Sequence, residues 1–279
     1  MSYQADLARW FAQLHAGARP LLLPNPWDLG SARVFGALGF QALATTSSGF
    51  AAALGRLDGA VSRDEALTHA GALAAASDLP VTADLENGFA DDPDGVAETV
   101  RLAIEAGLGG CSIEDYTGDP SAPIYGTDHA VARIAAAAEA AHAGRVHLVL
   151  TARAENHLRA TPDLDDTIAR LRAYGEAGAD VLYAPGLTSS ADIRRVVEEV
   201  GRPVNVLTVP GAPPVSELAA VGVARISTGG ALAMAAIDAV ARAASELLDD
   251  GTYGFLDSAR AGSALARRAF ALPDAGTGA

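Results

Sequence analysis

Lysine is missing from this chain of 279 residues; all 20 of its basic residues are arginines. A Schiff base with a carbonyl substrate or with pyridoxal phosphate needs a lysine amine. A Walker-A phosphate loop needs a lysine too. These chemistries are excluded. Cysteine is nearly missing as well. Cys111 stands alone, so no intrachain disulfide forms, and Cys₄ or Cys₂His₂ zinc sites are ruled out. No run reaches the ~18 uncharged apolar residues of a membrane span. The alanine-rich stretch 134–143 is interrupted by Glu139 and His142. The first residues carry no basic segment ahead of an apolar run, so they do not read as a secretory signal, and a cytoplasmic protein is expected. Positive charge is scarce: 20 basic against 34 acidic residues leave a net charge of −14. Such a surface repels phosphate backbones, which argues against nucleic-acid and anionic-membrane partners.

Half of the residues are hydrophobic, enough for a sizeable core, and the length suits one α/β barrel of roughly 250 residues. Eight β-rich runs, 21–25, 42–47, 81–86, 110–115, 147–155, 180–185, 203–209 and 224–229, alternate with helical patterns. The helical patterns lie near 29–39, 62–77, 93–106, 128–143, 161–178, 189–199, 216–221 and 231–249. Ser62 with Glu65 is a capping box, and Asp92-Pro93 and Thr161-Pro162 also read as helix starts. Glu-Ala-Gly recurs at 105–107 and 176–178, where the glycine suits a helix C-cap. Eight strand–helix units predict a closed (β/α)₈ TIM barrel over 1–250. Residues 251–279 read as a helical extension of the same domain. The alternative is an open doubly wound sheet. The barrel is preferred because polar residues sit at the C-terminal end of nearly every strand, which a barrel gathers around one mouth.

Three clusters carry chemistry. In Val-Thr-Ala-Asp-Leu-Glu-Asn-Gly-Phe, 81–89, Asp84 and Glu86 lie two apart and are expected on one strand face. Carboxylates held that close raise a pKa or recruit a cation, and oxygen donors with water suit Mg²⁺ or Mn²⁺. Glu114 at the next strand end would complete the shell; the alternative is a solvated carboxylate cluster. In Leu-Thr-Ala-Arg-Ala-Glu-Asn, 150–156, Arg153 and Glu155 share a face. The guanidinium fork suits a substrate carboxylate, or else a structural ion pair. Thr45-Thr46-Ser47-Ser48-Gly49 reads as a loop whose N–H groups face an anion, or else as an ordinary loop of small residues. Asp58 is either a proton carrier or a turn residue, and Tyr125 is a weaker candidate. His15, His69, His129 and His142 fall on helices and read as surface or core. His147 starts a strand at the end of the barrel away from the mouth.

Together these pieces resemble the isocitrate lyase/phosphoenolpyruvate mutase superfamily, from about Leu21 to Leu248. The motifs that carry the resemblance are Asp84-Leu85-Glu86-Asn87-Gly88-Phe89, Ile113-Glu114-Asp115, Ala152-Arg153-Ala154-Glu155, Thr46–Gly49 followed by Leu54-Gly55-Arg56-Leu57-Asp58, and Pro203-Val204-Asn205. The resemblance implies a Mg²⁺-dependent lyase-type enzyme, with Mn²⁺ as a second choice. It would act on a small 2-oxo acid or dicarboxylate through a metal-stabilised enolate, by C–C cleavage, decarboxylation or hydrolysis. Asp84 would ligate the metal, with Glu86 and Glu114 holding its waters. Arg153, Glu155 and the Thr46, Ser47, Ser48 segment would bind the carboxylate and oxo groups, and Asn205 a distal group. Arg153, Asp58 and Glu114 are the candidate catalytic residues. The resemblance also implies a homo-oligomer, dimer or tetramer, with the last helix exchanged between subunits. It stops at the gating loop: 116–129 holds neither the cysteine and lysine of the lyases nor the lysine and asparagine of the mutase. The alternatives are a phosphonate C–P mutase or hydrolase, a metal-dependent pyruvate aldolase, and a non-catalytic barrel that binds a 2-oxo acid.

Overall fold

The computed structural model describes residues 3–159 and 162–271. The chain begins with α1 (Tyr3–Leu14), β1 (Leu21–Leu23), α2 (Leu29–Ala37), β2 (Leu43–Ala44), α3 (Ser47–Ala53), α4 (Arg63–Ala75) and β3 (Val81–Asp84). It continues with α5 (Pro93–Glu105), β4 (Gly110–Glu114), α6 (Thr127–His142), β5 (Val149–Arg153), α7 (Asn156–Arg159), α8 (Leu164–Glu176) and β6 (Val181–Tyr183). It ends with α9 (Ser190–Val200), β7 (Val204–Leu207), α10 (Val215–Ala220), β8 (Arg225–Ser227), α11 (Ala231–Ser245), a π-helical turn Glu246–Asp250 and α12 (Leu256–Phe270).

The eight strands pair in parallel in the order β1-β8-β7-β6-β5-β4-β3-β2. The seam between β1 and β2 is bridged by the Ala44 N–H, which donates to the Pro24 carbonyl at 3.1 Å. The result is a nearly closed (β/α)₈ TIM barrel, as the alternation of strands and helices predicts.

Each strand is shorter than the apolar run that announces it, and this changes the local reading. β3 ends at Asp84, paired with Ser112, and Glu86 lies in the following turn with φ +49°. Asp84 and Glu86 therefore do not share a strand face; a left-handed residue re-aims the second carboxylate. Glu155 likewise lies past the end of β5. The Thr45–Gly49 segment is not a loop: Thr46 is the N-cap of α3, its Oγ1 accepting from the Gly49 N–H at 3.2 Å. α8 starts at Leu164 with Asp163 as N-cap, because that carboxylate accepts from the Asp165 and Asp166 N–H groups. Thr161, half of the expected start, lies outside the described residues.

The remaining helix boundaries follow from local chemistry. Ser62 and Glu65 form the reciprocal capping box of α4. Gly107 (φ +90°) and Gly178 (φ +110°) end α5 and α8. At each end the N–H two residues past the cap returns to the last turn: Leu108 N–H to Ala103 O at 3.2 Å and Ala179 N–H to Tyr174 O at 3.0 Å. This is the Schellman pattern.

The main core fills the annulus between strands and helices, where Leu43, Val100, Ile113, Leu150, Leu171 and Leu182 are fully buried. Each such side chain contributes roughly 1.5–3 kcal/mol relative to exposure. α1 plugs the base of the barrel. Its Phe11 is buried beside Leu21, Leu23, Val149 and Val181. Gly110 makes room for it, since a Cβ there would stand 2.8 Å from the Phe11 ring. At the other end of the chain, α12 packs on α2, with Phe270 beside Gly30.

Candidate active site

Barrel register builds the site. Glu114 pairs with Arg153, Arg153 with Tyr183, Tyr183 with Asn205, and Asn205 with Arg225. One row of polar residues thus crosses β4 to β8. Its side chains line two adjoining cavities at the C-terminal ends of the strands. One, of about 190 Å³, runs inward from Thr46, Ser47, Ser48 and Asp58 past Asp84, Arg153 and Asn205 to Arg225. The other, of about 340 Å³, lies beneath the 116–126 loop and is lined by Asp58, Glu86, Glu114, Tyr116, Arg153 and Arg159.

Arg153 is the hub. Its Nη1 donates to Asp84 Oδ1 at 2.9 Å, and its Nε and Nη2 donate to Glu155 Oε1 at 2.9 and 2.8 Å. Nη2 also lies 2.9 Å from Glu114 Oε2. Its guanidinium carbon stands 5.1 Å from the centroid of the Tyr183 ring. The ion-pair reading and the site reading therefore describe the same residue.

Asp84 is held from below and above. Its N–H donates to Thr45 Oγ1 at 2.9 Å, and its Oδ2 accepts from the Ser47 N–H at 3.2 Å. Glu155 is fully buried, and among the described residues its Oε2 has no hydrogen bond. The Arg159 Nε lies 3.6 Å from that oxygen. Asp115, the residue after Glu114, is spent on the scaffold. It accepts from the Glu155 N–H (2.7 Å), the Tyr174 hydroxyl (2.6 Å) and Arg170 Nη1 (3.3 Å).

Negative charge is under-compensated here. Burial, then the neighbouring Asp84 and Asp58 carboxylates, push Glu86 up to about 7. Burial likewise raises Glu114, and Glu155 and Asp84 add to the rise, against the pull of Arg153. This oxygen-only donor set, short of positive charge, fits a hard divalent cation such as Mg²⁺ or Mn²⁺. Asp84, Glu86 and Glu114 do not bring three carboxylate oxygens within 4.8 Å of one another. The spacing suits one direct ligand with the others acting through water.

Thr46, Ser47, Ser48, Asp58, Asp84, Glu86, Glu114, Arg153 and Asn205 each line one of the two cavities, and Glu155 acts on them through Arg153. Asp58 stands exposed on the rim. Tyr125 is not brought there. Its hydroxyl is bonded to Asp91, burial and that carboxylate push it up to about 12, and Arg133 lies over its ring.

Sequence reasoning missed Arg225. This side chain is 4% exposed and crosses the barrel interior. Nε donates to Asn205 Oδ1 at 2.9 Å, Nη2 to Thr151 Oγ1 at 3.1 Å, and Nη1 to His15 Nε2 at 3.3 Å. No carboxylate pairs with it among the described residues. Burial lowers it to about 10. Through Asn205, whose amide donates to Ser227 Oγ at 2.9 Å, it reaches the mouth. The alternation of Arg225 and Ser227 on a short strand could have found it, as the same alternation found Arg153. Arg159 was missed too; it stacks over the Tyr116 ring at 4.6 Å.

Comparison with known proteins identifies the family. The family model described as phosphoenolpyruvate phosphomutase matches residues 11–248. A Burkholderia cenocepacia structure, solved as a candidate lyase/mutase, superposes with a TM-score of 0.94 at 52% identity, covering 98% of each chain. The 2-methylisocitrate lyase of Halalkalibacterium halodurans is 30% identical over 72% of this chain and 67% of its own length. An oxaloacetate acetylhydrolase in complex with its product oxalate superposes with a TM-score of 0.82 at 26% identity, covering 93% of each chain.

Proposed function

Because the chain belongs to the isocitrate lyase/phosphoenolpyruvate mutase superfamily, we propose that it is a Mg²⁺-dependent lyase-type enzyme acting on a small 2-oxo acid or dicarboxylate. The reaction class is cleavage of a bond next to a carbonyl through an enolate, by C–C cleavage, decarboxylation or hydrolysis. The observation that carries the reading is Arg153. It is a guanidinium held among Asp84, Glu114 and Glu155 at the wall of a cavity large enough for a small carboxylate. Asp84 would hold the cation, with Glu86 and Glu114 holding its waters. When bound, the cation supplies Lewis acidity to a carbonyl and a carboxylate oxygen.

The chain's own groups then divide the work. Arg153 and Thr46, Ser47 and Ser48 at the start of α3 offer donors to the carboxylate and oxo groups. Arg225 and Asn205 face the inner end, where a second anionic group would meet a guanidinium with no carboxylate of its own. Asp58 is the exposed carboxylate positioned to carry a proton at the rim. The 116–126 loop and Arg159 cover the outer cavity and limit water.

Arg159 favours a second reading. It places positive charge against the gating loop, which suits a phosphonate and a C–P mutase or hydrolase. We also infer a homo-oligomer, dimer or tetramer. Along α11 only Ala233 is buried, while Met234, Ile237 and Val240 are exposed.

The test is a binding and turnover screen of pyruvate, oxalate, oxaloacetate and phosphonopyruvate, each with and without Mg²⁺. Stabilisation by a 2-oxo acid only with Mg²⁺, lost in Asp84→Ala, supports the reading. Response to phosphonopyruvate alone moves the assignment to the C–P reading. Tight binding of a 2-oxo acid with no turnover makes the barrel a binder. No response to any ligand overturns all three.

A further inference from the structure

The base of the barrel, opposite the mouth, carries a second cluster. His142 is the last residue of α6, His147 stands two residues before β5, and Asp180 immediately precedes β6. His142 Nε2 lies 3.0 Å from Asp180 Oδ2, and His147 Nε2 lies 3.3 Å from Asp180 Oδ1. The two imidazoles stack with centroids 3.9 Å apart and planes within 6°. One ligand atom from each of the three residues falls within 4.8 Å of the others. Sequence reading treated His142 as surface or core and set His147 aside as lying at the wrong end. The fold instead aims both rings at one carboxylate.

We propose that His142, His147 and Asp180 form a binding site for a borderline divalent transition metal, Zn²⁺ or Ni²⁺, distinct from the oxygen-only site at the mouth. The carboxylate is set before any ion arrives. Its Oδ2 also accepts from the Leu150 N–H at 2.8 Å, and the Asp180 N–H donates to the Leu150 carbonyl at 2.9 Å. Each imidazole offers its Nε2 lone pair once the ring proton moves to Nδ1, with no net change of charge. Two nitrogens and one carboxylate oxygen are the donors that imidazole-preferring metals select, whereas Mg²⁺ prefers oxygen alone. The His142 and Asp180 side chains are about a quarter exposed (28% and 26%) and His147 about half (55%). Solvent can therefore deliver the ion and fill the remaining coordination positions. The ion would tie the end of α6 to the starts of β5 and β6. That is a staple at the face of the barrel associated with stability rather than catalysis.

The test is calorimetric titration of the full-length protein with ZnCl₂ in saturating Mg²⁺, followed by thermal melts. Wild type and Asp84→Asn should each take up one Zn²⁺ per chain and melt higher with it. In His147→Gln and in His142→Gln the affinity should fall at least about ten- to a hundredfold, and the thermal shift should vanish. His147 is exposed, so its replacement leaves the fold intact; Asp180→Asn is the harsher variant because Leu150 depends on that carboxylate. A Co²⁺ titration gives an independent readout, with ligand-field absorption in wild type that both histidine variants lose. No uptake by wild type overturns the proposal. So does uptake that persists in both histidine variants, or that disappears in Asp84→Asn.

Discussion

Arg153 shows how much one side chain can hold. It pairs with Asp84, Glu114 and Glu155 within hydrogen-bond reach. Arg153→Met leaves those carboxylates without their cation. Removing one partner of a buried charge cluster costs about 3–5 kcal/mol. The denaturation midpoint should drop accordingly, added Mg²⁺ should restore part of it, and 2-oxo-acid binding should disappear. A midpoint unchanged in urea would show that the cluster is solvated.

His15 gives a pH prediction. Burial, then the Arg225 guanidinium, lowers it to about 3, and it is 7% exposed. The unfolded chain therefore binds a proton near pH 6.5 that the folded chain refuses. The contribution of His15 to stability is full above ~6.5 and falls by about 1.4 kcal/mol per unit as pH drops toward 3. His15→Gln should flatten that slope; equal slopes in both proteins would refute the assignment. At this scale Asp84, Glu114 and Arg153 were legible because their residue types are costly at strand ends. Arg225 was passed over although it alternates with Ser227 on β8; what no local pattern shows is its partners, Thr151 and His15, 74 and 210 residues away.

Among the elements, boundaries follow from caps and glycine. Ser62→Ala removes the side-chain half of the α4 capping box, leaving the backbone N–H at 62 to donate to Glu65, and should cost about 1 kcal/mol in equilibrium unfolding, with m unchanged. Gly178→Ala should cost more. The position has φ +110°, and a Cβ would stand 2.8 Å from the Ala138 Cβ on α6. Strain of this kind is worth roughly 1–3 kcal/mol. A neutral result would mean that α6 shifts freely. α3 escaped the sequence reading because Thr-Ser-Ser-Gly has the composition of a turn. It becomes helical where Thr46 caps it and Trp27 and Ala233 leave room only for a glycine at 49. Glu86 escaped for a related reason: strand alternation describes it only while the backbone stays extended, and Glu86 has φ +49°, although its carbonyl still accepts from the Glu114 N–H.

Among the described residues, the end of the chain carries exposed apolar side chains. Val240 and Leu248 are 70% and 83% exposed, with Ile237 and Leu256 beside them in sequence on α11 and α12. A folded monomer rarely leaves such a surface in water. Sedimentation equilibrium should show a dimer or tetramer at micromolar concentration, and Val240→Glu should shift it toward monomer. A monomeric wild type would remove the inferred assembly. Among the described residues no helix is long and apolar enough to cross a membrane, as the broken apolar runs already required.

The sequence by itself determined which chemistries are closed to this chain, how many strand–helix units it has, and where most helices begin and end. Those properties depend on residue type and on energies that act within a few positions: caps, periodicity, a missing lysine. Only the tertiary structure decided which charges meet. Arg153 finds Asp84 across 69 residues, Arg225 reaches from β8 to β5, and His142, His147 and Asp180 converge under the barrel. These meetings are set by strand register and by closure of the sheet, and no local pattern encodes a register between strands that lie far apart in the chain.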